Sequence, residues 1–466
     1  MIATIPENGL EGKVCQHLSL GLLQDVLPVS QIEELLETYQ MWEQREKKLN
    51  MVAMVYWLIG LHLYPHLSQR AVYAKLVSGQ RALRDDVAQS IPVKSAFSYR
   101  REQLGSDFME ELFATVAGPQ ATAETPGAFW RGMRLLAIDG TVESVPDTAS
   151  NRESFCYSTD DSESHSPFPQ ARLVLVVECA THLICDAEIS PCRQGETTSL
   201  RLLLERWKWE NSLLLWDSGF HCSEAIFALR ARHCHLLGRL KSKVLLTPVC
   251  HLCDGSYLTY IYEDQDHHRG ERMLVRVISY TFTDPRIPGA GTQIYRLVTT
   301  LLDPFLYPAK ELAVLYHDRW QVELVIDEND THLRLSARTL RSQTPTGVIQ
   351  ELYALLVAHT LLRRLMLGAA TQHALAPTTL SFTATLRLVD ETLVPLSVVS
   401  ASRRQDMLAD LRQELATFRL PKQRVRIQAR VVKRTRSRYE RKKPEHLHAP
   451  PLELDLDFQQ IIELVT

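Results

Sequence analysis

The sequence predicts an α/β protein: a mixed sheet with helices, interrupted by a β-rich insertion and preceded by an all-helical N-terminal domain. Three observations carry this. Residues up to about 120 show only helical spacing. From there to about 243, short β-rich runs alternate with helical patterns, and two of the runs end in Asp-Gly or Asp-Ser-Gly turns. After a second β-rich block, Tyr316–Leu333 sets polar residues at helical steps.

The helical reading of residues 1–125 rests on capping and periodicity. Ser30-Gln31-Ile32-Glu33 after Pro28 is a capping-box pattern, and Ile32, Leu35, Leu36 and Tyr39 follow at helical spacing. Met51–Leu63 is a buried helix, too short to span a bilayer. Ser68–Val77 is a third helix. Ile91-Pro92-Val93-Lys94-Ser95 opens a fourth, which carries Phe97, Tyr99, Arg100 and Arg101. A basic last helix suits a DNA-end-binding module, and a plain helical cap over the next domain is equally compatible.

Residues 126–243 read as the first part of a catalytic domain. Arg134–Ile138 is a short buried strand ending in Asp139-Gly140-Thr141. Beyond a polar loop, Ala171–Cys179 and His182–Ile189 form a hairpin about Ala180-Thr181. Gly195-Glu196-Thr197-Thr198 starts a helix over Ser199–Trp207, and Ser212–Trp216 is a buried strand ending in Asp217-Ser218-Gly219-Phe220. A helix over Ser223–Arg232 and a strand over His235–Leu240 follow. The order β-β-β-α-β-α-β is that of a ribonuclease-H-like sheet, in which the first and fourth strands are neighbours. Asp139 and Asp217 are then side by side. Residues 244–308 are β-rich and read as a small antiparallel insertion subdomain, 309–370 return to the catalytic domain, and 371–466 form a C-terminal region with a basic tail.

Tyr316, Arg319, Trp320, Glu323, Asp327 and Asp330 share one helical stripe, while Val322, Leu324, Val325 and Ile326 rest on a core. The bland reading is a solvated face with an Arg319–Glu323 ion pair. Asp139 before Gly and Asp217 before Ser-Gly are, singly, ordinary turn residues. As neighbours they repel, and burying both unpaired costs on the order of several kcal/mol. A divalent cation resolves this. Oxygen-only ligands with open positions suit Mg²⁺ or Mn²⁺, and two such ions about 3.5–4 Å apart activate an attacking oxygen and stabilise a leaving one. Glu323 supplies the third acid. Cys250-His251-Leu252-Cys253 with His267 and His268 lacks the second Cys pair of a zinc site and reads as free thiols.

The net charge of −3 does not advertise nucleic acid. The sum hides a local run, however: Lys422, Arg424, Arg426, Arg430, Lys433, Arg434, Arg436, Arg438, Arg441, Lys442 and Lys443 are opposed only by Glu440. The nine cysteines are scattered and odd in number, which suits a reducing cytosol. The N-terminus carries no signal-peptide pattern, so the expectation is a soluble cytoplasmic protein with no membrane attachment.

AIDGT (Ala137–Thr141), LWDSGF (Leu215–Phe220), GRLKSK (Gly238–Lys243), YRLVTTLLD (Tyr295–Asp303), Tyr316-x2-Arg319-x3-Glu323, Leu340–His359 and Val431–Tyr439 together resemble the insertion sequence 4 family of DDE transposases, in the ribonuclease-H-like superfamily. The resemblance covers most of the chain. It implies metal-dependent DNA cleavage and strand transfer at the ends of an insertion sequence. Asp139, Asp217 and Glu323 become the catalytic, metal-binding triad for two Mg²⁺, with Mn²⁺ as a substitute. Tyr316 and Arg319 grip the strand near the cleaved phosphate, and Trp320 either stacks on a base or packs the helix onto the sheet. Arg239, Lys241, Arg338, Arg341, Lys433, Arg434 and Arg436 are further DNA contacts. The implied partners are double-stranded DNA (terminal inverted repeats and target) and a second copy of the chain, in a bacterial, nucleoid-associated setting. One departure stands out. The family signature places a Lys seven residues after the Glu, and this chain has Asp330. The cation is then absent from the signature or supplied by His332 or Arg334. A catalytically weakened or domesticated DNA-binding derivative is therefore an alternative, as is a ribonuclease-H-like metal-dependent nuclease.

Overall fold

The computed structural model describes residues 13–41, 49–158, 166–241, 243–264, 269–284, 287, 290–335, 339–421, 425–427, 452–454 and 458–464. In the N-terminal part, α1 (Val29–Thr38), α2 (Met51–Leu63), α3 (Gln69–Leu76), α4 (Lys94–Leu104) and α5 (Asp107–Val116) carry the helical pattern. Asn50 Oδ1 accepts from the Ala53 N–H at 2.7 Å and caps α2, and Ser68 caps α3. The capping box at Ser30 does not form. Pro28 takes the cap position of α1 without a side-chain bond, so Ser30 lies inside the helix. The arginines of α4 turn inward: Arg100 Nε donates to Leu49 O at 2.9 Å, and Arg101 Nη2 donates to Ser342 Oγ at 2.8 Å and Gly347 O at 2.7 Å. Arg100 thus ties α4 to the start of α2 within the helical layer, and Arg101 braces that layer against the C-terminal half of the chain.

The sheet is organised about β1 (Met133–Ser144). It pairs antiparallel with β2 (Gln170–Glu178), which pairs antiparallel with β3 (Leu183–Pro191). On its other edge β1 runs parallel to β4 (Ser212–Trp216), and β4 runs parallel to β5 (His235–Arg239). Helices α6 (Glu196–Glu205) and α7 (Ser223–Ala231) make the crossovers. The order β3-β2-β1-β4-β5 is the ribonuclease-H-like one. Strand β1 outruns the expected Arg134–Ile138 because β2 keeps pairing with it to Ser144, whereas β4 leaves after Ile138.

Residues 244–308 do not form a sheet of their own. Strands β6 (Tyr257–Asp264), β7 (Arg269–Phe282) and β8 (Tyr295–Thr299) are mutually antiparallel as expected, but β8 pairs with β5 and carries the whole set onto the main sheet. The reason is visible in the side chains. Val277 and Val298 enter the core on one face while Ile278 and Leu297 enter the core on the other, so these strands are covered on both sides. Ile462–Leu464 returns to pair with β7.

After β8 comes a continuous helical rod, α8, over 309–333. It is α-helical over Ala309–Leu315, tightens to 3-10 over Tyr316–Arg319, is α-helical again over Trp320–Asp327 and widens to a π-helix over Glu328–Leu333. Helix α9 (Pro345–Gln372) follows, capped by Thr344 with Pro345 at its first position. By length and composition α9 could cross a membrane, yet 89% of its apolar window is buried inside the protein. It is the central helix, against which α2 and α5 pack, followed by α10 (Phe382–Val398) and α11 (Ala401–Leu415).

Candidate active site

Strand alternation decides where the two aspartates point. Leu135 and Ala137 of β1 belong to the core shared with α8 and α9, and Leu136 and Ile138 to the core under α6 and α7. Leu213 and Leu215 of β4 take the first side, Leu214 and Trp216 the second. Continuing the two-residue period puts Asp139 and Asp217 on the side of α8. Ile138 is the partner of Trp216 across the parallel pair, so the two aspartates come next in line, where the two strands part. Trp216 is buried across Gly238 of β5, where an added Cβ would stand 1.9 Å from the indole Nε1. Gly238 is required for that close approach, and the indole in turn fixes the residue before Asp217.

The third acid arrives from α8. Arg319 Nη1 donates to Asp139 Oδ2 at 2.9 Å, and its Nη2 donates to Glu323 Oε1 at 2.5 Å. One guanidinium therefore holds the first and third acids, and Glu323 lies on the same side of the sheet as Asp139. The i,i+4 pair was legible in the spacing; the bond to Asp139 was not, because the two residues lie 180 positions apart. Among the described residues no three His, Cys, Asp or Glu side chains converge as a ready ligand set. Arg319 is the positive charge between them.

The electrostatics follow from this crowding. Burial raises the Asp139 carboxyl; Arg319 and the Gly140 N–H, 2.8 Å away, pull it down, and Asp217 pushes it up. Burial pushes the Tyr316 phenol up to about 12, with Arg319 opposing and Asp217 reinforcing. Burial works against the Arg319 charge, but Tyr316, Glu323 and Asp139 outweigh it and raise the guanidinium further. A fourth acid, Glu196, opens α6 at the same edge of the sheet and carries an ion pair with Arg172 at 3.0 Å. In the sequence this position reads only as a helix start, because an acid in the first turn is the ordinary partner of a helix dipole.

Two family models match the chain, Insertion element 4 transposase N-terminal over residues 17–114 and Transposase DDE domain over residues 130–361. The chain belongs to the insertion element 4 family of DDE transposases. It is similar to the transposase InsG of insertion sequence element IS4 from Escherichia coli K12, 27% identical over 398 residues, covering 84% of this chain and 86% of that one. It is also similar to the putative transposase InsZ of the same organism, 25% identical over 150 residues, covering 32% of this chain and 50% of that one. Among solved structures, the piggyBac transposase in a synaptic complex with hairpin DNA aligns over 88% of this chain and 86% of that one, at 10% identity and a TM-score of 0.43. As a DDE transposase the protein is a DNA-cleaving, strand-transferring enzyme of a divalent-metal-dependent class.

The remaining expected DNA-binding residues of this transposase divide into three groups. Trp320 is 49% exposed, so about half of its indole is accessible beside Arg319. Arg239 lies over the Tyr295 ring at 5.0 Å with its charge acting on Tyr316, and Lys241 is exposed. Arg341 is used elsewhere: its guanidinium donates to Pro65 O at 2.6 Å and Leu67 O at 3.0 Å, bracing the helical layer. Arg338, Lys433, Arg434 and Arg436 lie outside the described residues. Both proposed substitutes for the family Lys have partners within the fold. Arg334 is ion-paired with the buried Glu143 as well as with Asp330 at 3.3 Å, and His332 faces the Phe382 ring at 6.0 Å. Cys250 and Cys253 are exposed and free.

Proposed function

We propose that Asp139, Asp217 and Glu323 hold two Mg²⁺ ions with which this transposase cuts and joins the ends of an insertion sequence. The observation supporting this is the single guanidinium of Arg319 bonded to both Asp139 and Glu323, with Asp217 next in line. Two of the three carboxylates are bonded to one internal cation, and the oxygen-only donor set of the three fits a hard divalent ion. When bound, such ions lower the pKa of an attacking water or 3′-hydroxyl and disperse charge on the scissile phosphate. Arg319, released from the carboxylates, presents its fork to the phosphate oxygens. Tyr316 keeps its proton at neutral pH, its phenol standing at about 12, and donates a hydrogen bond to the same strand. Trp320 offers a face to an unpaired base.

On this reading residues 126–243 and 309–370 form the catalytic body, 244–308 extends its sheet, and residues 1–125 cover it and meet the DNA ends. Arg239, Lys241, Arg338 and the basic run around Lys433, Arg434 and Arg436 follow the phosphate backbone. The substrates are double-stranded terminal inverted repeats and target DNA, bridged by a homodimer at the bacterial nucleoid. The test is incubation of the full chain with a labelled terminal-repeat oligonucleotide and Mg²⁺. Joining to target DNA is expected. An end bound but left uncut favours the second reading, a DNA-binding derivative without cleavage, which Asp330 motivates. Cutting with no preference for the end contradicts end-specific transposition.

A further inference from the structure

We infer that Glu196 is a fourth carboxylate of the ion-holding site and that Arg172 is the residue that aims it; this rests on the reading of Asp139, Asp217 and Glu323 given above. Helix α6 packs on the face of the sheet away from α8, through Leu200, Leu203 and Leu204. Its first residue nevertheless reaches the segments that carry Asp139 and Asp217. Glu196 Oε1 is 3.2 Å from the place a Cβ on Gly140 would occupy, and Oε2 is 2.7 Å from the corresponding place on Gly219. The carboxylate therefore spans the glycine that follows Asp139 and the glycine two residues after Asp217. Neither glycine has a left-handed backbone, and at both the nearest atom that a Cβ would meet is a carboxylate oxygen of Glu196.

Arg172 of β2 fixes the group. Its Nη1 donates to Glu196 Oε1 at 3.0 Å and its Nη2 donates to Cys192 O at 3.0 Å, which leaves Oε2 on the Asp217 side. The carboxylate thus lies over a bare strand position at Gly140 and a bare turn position at Gly219. The edge then holds four acids, Asp139, Asp217, Glu323 and Glu196, against the two guanidiniums of Arg319 and Arg172. Glu323 and Glu196 approach the aspartate pair from opposite layers, an arrangement that encloses divalent ions from both sides.

The test is calorimetric titration of the DNA-free full chain with Mn²⁺ alone, paired with thermal melting and with cleavage of end DNA. Glu196→Gln is expected to weaken Mn²⁺ binding about tenfold or more and to slow cleavage with it. Gly219→Ala has only to push aside the far end of a flexible side chain, so it should weaken Mn²⁺ binding with an unchanged melting temperature. Arg172→Met should weaken binding alone and add nothing in the Glu196→Gln background, as a positioning residue must. Wild-type Mn²⁺ affinity in both Glu196→Gln and Gly219→Ala reduces the pair to a brace and overturns the inference. A wild-type chain that binds no Mn²⁺, or an Asp217→Asn chain that binds it undiminished, overturns the underlying site and this inference with it.

Discussion

Arg319 makes opposite demands of the same carboxylates in the free and working protein. While it bonds Asp139 and Glu323, it lowers their mutual repulsion and competes with any divalent ion. Replacing it with Ala should tighten Mn²⁺ binding to the DNA-free chain, measured by titration, while single-turnover cleavage falls by at least about a hundredfold because the phosphate has no guanidinium to meet. Weaker ion binding in Arg319→Ala would contradict the competition. The residues of this cluster were unequally legible. Asp139 and Asp217 stood out because apolar runs ended in them, and Glu323 because of its spacing from Tyr316 and Arg319. Glu196 and Arg172 did not, since their meeting depends on which layer α6 occupies and no local pattern states that.

At the level of elements, the position of Glu323 depends on α8, and α8 is anchored by its π-helical end. Glu328 is buried there, with its Oε2 accepting from Arg363 Nε at 2.9 Å and bonded to His359 Nε2 at 2.9 Å; His182 bonds Arg363 Nη2 and Gln321 Oε1, both at 2.7 Å. Burial disfavours the Glu328 carboxylate, but Arg363 and the two histidines hold it well below the usual range. Arg363→Met takes the guanidinium from that buried carboxylate, leaving it only the two histidines, and should cost about 3–5 kcal/mol in urea denaturation, with Glu328→Gln added to it costing less than the single change. Asp330, on the same π-helical turn, is raised from 3.8 to about 6 by burial first and Asp327 second. Arg334 does little to relieve it, being claimed by Glu143. Between those two pH values the folded chain binds the proton more tightly than the unfolded chain. Asp330 therefore favours the fold fully below about 4, and this is lost as pH rises through about 6. Asp330→Asn should raise the melting temperature at pH 7 and leave it unchanged at pH 4. The polar stripe of α8 was readable from helical spacing, but its 3-10 and π turns were not, because the elements packed against them, β1, β2, β4 and α9, are distant in the chain.

At the scale of the whole molecule, the apolar and alternating runs announced the strands and their order announced β3-β2-β1-β4-β5. The continuation through β8, β7 and β6 was hidden, because a two-residue period fixes which face a side chain takes and not which strand lies alongside. The inward turn of the α4 arginines was hidden for a related reason: charge composition does not say whether a guanidinium faces solvent or carbonyl groups of its own fold. The basic run near the C-terminus makes its own prediction. Replacing Lys433, Arg434 and Arg436 together with Gln should weaken binding across all DNA sequences. It should also flatten the slope of log K against log salt by about 0.9 for each phosphate left without its cation, measured by fluorescence anisotropy. An unchanged slope would place the DNA backbone elsewhere. The central claim, that three acids distant in the chain surround one ion site, is tested most directly by iron-mediated backbone cleavage of the full chain, with Fe²⁺ in place of Mg²⁺. We expect cuts near residues 139, 217 and 323 that all disappear when Mg²⁺ competes; cuts at 139 and 217 with the chain intact around 323 would contradict the account.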